Sequence, residues 1–305
     1  VTDIAVEIGS VRLESPVMTA SGTAGHGAEL GAFQDLSQLG AVVVKSLSAA
    51  PWEGNPPPRV HQTSAGMINA VGLQNPGVAT WRSSELPELL AAGATVVASI
   101  WGRSVDEYRD AAALLEGVDG VAAVEVNVSC PNLESRGDMF AHDPGATAEV
   151  IGAAAACGLP LWAKLSPNVT DLTPIARAAL DAGAEALTVA NTLMGMVIDP
   201  ETRRPVLGNG GGGLSGPAIR PVAVRAVYDL VSALGPTPII GVGGVASAEH
   251  AVEFLAAGAT AIQVGTATFA DPRTPTLVSR DLRAWCSRHG VRTISSLTGA
   301  AHDTD

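Results

Sequence analysis

The stretch Leu161-Trp-Ala-Lys-Leu-Ser-Pro-Asn-Val-Thr-Asp171-Leu-Thr-Pro-Ile-Ala-Arg-Ala-Ala-Leu-Asp181-Ala-Gly-Ala-Glu-Ala-Leu-Thr-Val-Ala-Asn191 reads as one strand–helix–strand unit. Leu161–Leu165 and Ala186–Asn191 are short apolar runs bounded by turn residues, the pattern of strands buried on both faces. Asp171–Ala182 between them is a helical run, with Asp171 suited to its N-cap and Gly183 to its C-cap. The same alternation extends in both directions. Strands are expected at Val17–Ser21, Ala41–Ser46, Thr95–Ile100, Ala122–Val128, Pro238–Val242 and Ala261–Gly265. Helical patterns cover Ser104–Leu115, Gly145–Cys157, Ala218–Leu234 and Ala248–Ala257, the last with Ser247 and Gly258 as caps. Eight strands alternating with helices, with no break in composition, predict an α/β chain that forms one domain over 1–305, a closed (β/α)8 barrel. An open doubly wound sheet is the runner-up.

Three stretches depart from the alternation. Asp3–Glu14 alternates around Gly9-Ser10 and reads as an N-terminal β-hairpin that closes the bottom of the barrel. Ala49–Thr80, rich in Pro and Gly, follows the second strand, and Met196–Leu214 follows the sixth. Insertions of this length in a compact fold are usually functional. Both belong on the C-terminal face, where barrel enzymes carry their chemistry.

Bulk composition narrows the function. A formal charge of −12 speaks against a nucleic-acid binder, which needs a basic face. Three cysteines, Cys130, Cys157 and Cys286, cannot build a disulfide framework, nor a four-cysteine iron–sulfur cluster. The N-terminal Val1-Thr-Asp-Ile-Ala-Val-Glu7 lacks the pattern of a signal peptide, and no apolar run approaches the ~18 residues of a membrane span. A cytoplasmic protein without membrane contact is expected. The six histidines show no metal-ligand spacing, and no metal site is expected; His250 reads as a solvated helix residue.

The chemistry concentrates at strand ends. Glu125-Val-Asn-Val-Ser-Cys130-Pro-Asn-Leu-Glu134 ends a β-branched run in a thiol among amides and a hydroxyl. Cys157 and Cys286 fit buried apolar thiols, whereas Cys130 lies past a strand end and reads as a nucleophile or base. Lys45 and Lys164 each sit in an apolar strand. Such a lysine is either one half of a structural ion pair or a cation kept for an anionic ligand; it can also form a Schiff base, which keeps an aldolase-like barrel in view. Gly241-Val-Gly-Gly244 and Gly265-Thr266 end the seventh and eighth strands and suit the phosphate site of a barrel better than a dinucleotide fingerprint, since no acidic residue ends the next strand. Gly210-Gly-Gly-Gly213 is not followed by Lys-Ser/Thr, so it is no P-loop, and alone it reads as a flexible tip. Asn69, Asn127, Asn132 and Asn191 would together suit a small polar heterocycle, although any single Asn is more often a turn residue.

These motifs resemble those of the dihydroorotate dehydrogenases of class 1, and within it class 1B. The likeness runs from the hairpin to Phe269 and rests on Gly54-Asn-Pro-Pro-Pro-Arg59, Asn69-Ala-Val-Gly-Leu-Gln-Asn-Pro-Gly77, Asn127-Val-Ser-Cys-Pro-Asn132, Asn191-Thr-Leu-Met-Gly-Met196, Gly212-Gly-Leu-Ser-Gly216 and Gly241-Val-Gly-Gly244. It implies a TIM barrel that binds one FMN and oxidises dihydroorotate to orotate in pyrimidine biosynthesis. Cys130 would be the proton-abstracting base, and the hydride would go to flavin N5. The phosphate would lie on Gly243, Gly244, Gly265 and Thr266, with Ser21, Gly22, Lys45, Ser46, Ser99, Asn127, Lys164, Ala190 and Gly216 around the rest of the cofactor. Lys164 would favour negative charge on the reduced ring. The substrate would meet Lys45, Asn69, Ala70, Val71, Gly72, Leu73, Asn127, Asn132, Asn191 and Thr192. The resemblance also implies electron transfer to NAD through a second subunit with FAD and a 2Fe–2S cluster, in a heterotetramer around a homodimer of this chain. Two positions depart from the family pattern: Ser99 replaces an Asn and Trp52 an Arg. A fumarate-coupled class 1A-like enzyme, a flavin barrel acting on a uracil-type ring, a Schiff-base lyase and a non-catalytic phosphate-binding barrel are the alternatives.

Overall fold

The computed structural model describes residues 2–129 and 140–302. The chain opens on an antiparallel hairpin of β1 (Val6–Ile8) and β2 (Val11–Leu13), turning at Gly9, whose φ is +60°. Its period-two pattern buries Val6, Ile8, Val11 and Leu13 and exposes Glu7 and Arg12. The backbone N–H and hydroxyl of Ser10 both donate to Glu185, at 2.7 and 2.6 Å, just before a barrel strand begins. The hairpin thus closes the N-terminal end, as its sequence predicts.

The remaining strands, in chain order, are β3 (Val17–Thr19), β4 (Val42–Val43), β5 (Val60–Thr63), β6 (Gly66–Asn69), β7 (Val96–Ile100) and β8 (Val121–Asn127). They continue as β9 (Leu161–Lys164), β10 (Ala186–Val189), β11 (Leu193–Gly195), β12 (Ile198–Asp199), β13 (Arg204–Pro205), β14 (Gly212–Ser215), β15 (Ile239–Val242) and β16 (Ala261–Val264). Helices are α1 (Val78–Ala91), α2 (Val105–Ala113), α3 (Pro144–Ala154), α4 (Thr173–Asp181), α5 (Arg220–Leu234), α6 (Ala248–Ala256) and α7 (Thr274–Arg288). Eight of the strands form one parallel sheet in the order β3-β16-β15-β10-β9-β8-β7-β4. Its two ends meet. Met18 bridges Ala41, and the Thr19 hydroxyl accepts from the Val43 N–H at 2.9 Å and lies 3.3 Å from the Val43 carbonyl. That seam closes the barrel and removes the open-sheet alternative.

Local details differ from the sequence expectation. Two ladders stop short of the polar residues that end their apolar runs: β3 ends at Thr19 and β4 covers only two residues. At Lys45 the N–H turns to Gly25 O (2.9 Å), lifting Lys45 and Ser46 out of the ladder. Asp171 accepts from the Thr173 N–H, but α4 begins one residue later than expected, with Leu172 at its N-cap. Ser247 does cap α6, while Gly183 and Gly258 sit just beyond the cap residues, at φ +107° and +113°. Gly241 serves packing, because a side chain there would run into the Phe254 ring of α6.

The two long insertions meet each other. β5 and β6 come from the first, β14 from the second, and with β11 they form an antiparallel sheet in the order β11-β14-β6-β5. Leu214 faces Ile68 across it, and Ile68, Ala70 and Leu207 form a small core of their own. The glycine run is therefore no flexible tip. Gly212 and Gly213 lie within β14, where a side chain would strike the Asn69 carbonyl or Thr192 respectively.

Candidate active site

A cavity of about 390 Å³ opens at the C-terminal ends of the barrel strands, roofed by the insertion sheet. It gathers residues spread from Ser21 to Thr266. Ser21, Gly22, Lys45, Ser46, Asn69, Ala70, Val71, Gly72, Leu73, Asn127, Lys164, Ala190, Asn191, Thr192, Gly216, Gly243, Gly244, Gly265 and Thr266 all line it. Ser99 does not. It is fully buried one layer back, with its hydroxyl 2.8 Å from Ser46 Oγ. Cys130 and Asn132 lie outside the described residues; Ser129, next to Cys130, does face the cavity.

Inside the barrel four strands build one charged cluster. Glu125 of β8 and Lys164 of β9 form a buried ion pair at 3.1 Å. The other Glu125 oxygen accepts from Thr188 of β10 (3.1 Å) and from Gln263 Nε2 of β16 (2.6 Å). Lys164 also reaches Ser21 Oγ and Gln263 Oε1, at 3.3 and 3.4 Å. A lone charge there would be costly, and these bonds satisfy both partners. Lys164 is thus a structural ion-pair member that also faces the cavity. Sequence reasoning assigns Glu125 no role; a glutamate amid an apolar strand is the signal that could have found it.

Lys45 differs. Its ammonium donates to the Gln74 carbonyl at 2.8 Å, and among the described residues it has no carboxylate partner. Burial, helped by the nearby Arg59 guanidinium, lowers its pKa from 10.5 to about 8. Burial, then Lys45, likewise lowers His26 to about 4, against the pull of Glu29. These two cavity lysines are the only lysines in the chain; the other sixteen basic side chains are arginines. No carboxylate appears among the described residues lining the cavity. In a chain of charge −12 such a lining selects for an anion.

Amides give the cavity its polar surface. Asn127 Nδ2 donates to Ser46 Oγ (3.3 Å), and its Oδ1 accepts from Asn191 Nδ2 (3.2 Å). Behind it the Tyr108 hydroxyl of α2 donates to the Asn127 carbonyl at 2.6 Å. Three residues not singled out from sequence, Asn55, Asn168 and Asn209, also line the cavity. Asn168 ties β11 in place by donating to Ser166 Oγ and the Thr192 carbonyl and accepting from the Met194 N–H. Ser129 Oγ is buried without a hydrogen-bond partner among the described residues.

Gly243 and Gly244 turn the chain after β15 at φ +139° and +71°, conformations that favour glycine. Gly265 and Thr266 turn it after β16, where Thr266 Oγ1 lies 2.8 Å from Ser215 Oγ of β14. Such turns bring backbone N–H groups close to a phosphate. His250 corrects the sequence reading. Rather than solvated, it is half-buried, with Nδ1 at the Ala246 N–H (3.2 Å) and Nε2 against Arg220 (2.6 Å), bracing the loop after Gly244. Cys157 and Cys286 are buried free thiols, raised in pKa by that burial.

The family model described as Dihydroorotate dehydrogenase matches residues 3–285. The chain is 51% identical over 301 residues to "Dihydroorotate dehydrogenase B (NAD(+)), catalytic subunit" of Desulforudis audaxviator, covering 98% of each chain. It is 49% identical over 298 residues to the protein of that name from Trichlorobacter lovleyi, covering 97% of this chain and 98% of the other. A match across nearly the whole barrel, including the cavity lining up to Phe269, means that the chain belongs to the dihydroorotate dehydrogenase family.

Proposed function

We propose that this chain is the catalytic subunit of a class 1B dihydroorotate dehydrogenase, oxidising dihydroorotate to orotate in pyrimidine biosynthesis. One observation carries the reading. The two lysines of an acidic chain converge with a set of asparagines on one cavity that is also lined by glycine turns. That donor set suits an anionic, amide-rich ring together with a phosphate. The names of the relatives supply a substrate and an acceptor that suit this chemistry.

The lining fits FMN. The turns at Gly243-Gly244 and Gly265-Thr266 offer backbone donors to a phosphate, and Lys164, Ser21, Ser46 and Ala190 line the space for a flat ring. When bound, FMN supplies the acceptor for the substrate hydride. Lys164 is held by Glu125 and Gln263, so it acts as an oriented donor more than as an added positive charge. Lys45 lacks such compensation and attracts the substrate carboxylate, while Asn69, Asn127 and Asn191 meet the ring amides. Cys130, with Asn132 beside it in the motif, takes the proton from the substrate carbon next to the one that loses hydride. Support for Cys130 comes from its motif and from Asn127 and Ser129, three and one residues before it, which both line the cavity.

Anaerobic titration tests this reading. The purified protein should be yellow, and dihydroorotate should bleach its flavin band. Flavin that stays oxidised under excess dihydroorotate would sink the substrate assignment. Cys130→Ala should slow the bleaching by about 10²–10⁴-fold, the usual contribution of a general base, with FMN still bound. An unchanged rate removes Cys130 from that role.

NAD enters through a partner in this proposal. "Catalytic subunit" in the relatives' names supports a second subunit, and three widely spaced cysteines cannot themselves hold a four-cysteine cluster. The partner would carry FAD and a 2Fe–2S cluster and join a cytoplasmic homodimer of this single-domain chain. No helix among the described residues is long and apolar enough to cross a membrane. Rapid NAD reduction by this chain alone, or turnover with fumarate, would refute the partner assignment. Borohydride trapping of a carbonyl substrate on Lys45 or Lys164 in a colourless protein would favour the lyase instead.

A further inference from the structure

Ala70, Val71, Gly72 and Leu73 form one wall of the cavity, and their backbone is not relaxed. Gly72 and Leu73 lie at φ +74° and +61°. For leucine the left-handed region costs on the order of 1–2 kcal/mol, so the segment holds this shape only where neighbours impose it. Asn75 supplies part of the restraint, its Nδ2 donating to the Leu73 carbonyl at 2.8 Å. Asn55 holds the start of the segment, its backbone N–H donating to the Val71 carbonyl at 3.1 Å and its Nδ2 to the Ala70 carbonyl at 3.2 Å, and Trp52 holds the strained part.

Trp52 grips the segment at two points. Its backbone pairs with Asn75 in both directions, each bond 2.9 Å, and its indole N–H donates to the Gly72 carbonyl at 3.0 Å. The ring is itself fixed. The Arg103 guanidinium lies 4.6 Å from its centroid, and Trp101, which follows β7, meets it edge-on at 5.9 Å. Arg103 is in turn locked to Glu107 at the start of α2, at 2.6 Å. A chain of contacts thus runs from a barrel helix through a cation–π pair to the strained wall.

We propose that Trp52 is a positioning residue that presets this wall for the ring-shaped ligand, and so sets affinity without taking part in the chemistry. The proposal rests on the functional reading above, with orotate and dihydroorotate as the ligands. A wall already in its binding shape has no ordering cost at association; a released wall must be reordered each time, which raises Kd and KM.

The test uses the FMN-loaded protein and the variants Trp52→Phe and Trp52→Ala. Phe keeps an aromatic ring under Arg103 and loses the indole N–H with the smaller of the two fused rings. It should raise the orotate Kd and dihydroorotate KM about five-fold, the worth of one hydrogen bond. Ala loses both contacts and should raise them about 30-fold. The limiting rate of flavin reduction at saturating substrate should stay within about two-fold of wild type, since the reacting groups are untouched. Amide hydrogen exchange across 70–75 should quicken in the same order, and orotate should restore protection in both variants.

Unchanged exchange overturns the proposal, as does faster exchange with an unchanged KM. A fall in the limiting rate at constant KM overturns it too, by placing Trp52 in the chemistry. A wild-type protein that holds FMN yet shows no spectral response to orotate refutes the functional reading and this ligand together. Wild-type binding matched by both variants refutes the role of Trp52 alone.

Discussion

On the barrel axis Lys164 meets Glu125 at 3.1 Å within a cluster supplied by four strands, whereas at the rim Lys45 donates to the Gln74 carbonyl, lies near Arg59 and His26, and has no carboxylate partner among the described residues. Both lysines face the same cavity. The interior pair is close to neutral as a unit, so it orients a donor and leaves little net attraction. The rim lysine is uncompensated, so it attracts. Strand register fixes the first arrangement: Asn127 of β8 lies opposite Lys164 of β9, which brings Glu125, two residues earlier on the same face, within reach of its ammonium. An insertion segment fixes the second. Rigid strands hold the compensated charge and the added loops hold the selective one.

Breaking the interior pair should have the larger effect. Glu125→Gln leaves the buried Lys164 ammonium without its counter-charge, and such losses cost about 3–5 kcal/mol. Denaturant unfolding should show that fall. The double variant Glu125→Gln/Lys164→Met should recover most of it, because an apolar stem replaces the orphaned charge. If Glu125→Gln unfolds like wild type, the pair is not a structural element of the barrel.

Lys45→Met should behave in the opposite way. Stability should hold or rise slightly, since a half-buried charge with no carboxylate partner among the described residues is gone, while orotate binding weakens by about 2 kcal/mol, or roughly 30-fold, the worth of a charged hydrogen bond. The pH profile sharpens the contrast. With a pKa near 8 in the folded chain, Lys45 loses its charge as pH passes 8, and orotate affinity should fall there in wild type and stay flat in Lys45→Met. Stability moves the other way. Between about 8 and 10.5 the unfolded chain keeps the proton that the folded chain has released, so this residue's contribution to stability rises with pH over that window. A wild-type affinity that does not change between pH 7 and 9.5 would separate Lys45 from the ligand.

Much of this is legible in the sequence for a physical reason. In a closed parallel barrel the strands are buried on both faces and polar residues gather where they end, so apolar runs ending in Lys45, Asn127, Lys164, Asn191 and Gly265 mark both the fold and its active face. The apolar runs overshoot the true strand ends because burial continues past the ladder: Leu165 and Ala190, both buried, follow the last residues of β9 and β10. What stays hidden depends on partners far along the chain. Glu125 meets Gln263 only through barrel closure, β14 meets β6 only because two insertions rise from neighbouring parts of one face, and Trp52 touches Arg103 only across the rim. No local pattern encodes those meetings.

The smallest effect concerns the link between the two regions. Ser99 of β7 pairs with Ser46, beside Lys45, and Ser46 accepts from Asn127, which lies opposite Lys164 in the ladder. That short chain of hydroxyls and amide joins the rim lysine's strand to the interior. Ser99 contacts Ser46 and not the cavity, so its loss should act only through Ser46. Ser99→Ala removes one hydroxyl from a buried pair and should cost about 1 kcal/mol of stability by denaturant unfolding. Because Asn127 keeps its bond from Asn191, the orotate Kd should move by less than about two-fold. A ten-fold change in Kd would mean that the two regions are coupled through this chain and cannot be treated as separate sources of charge.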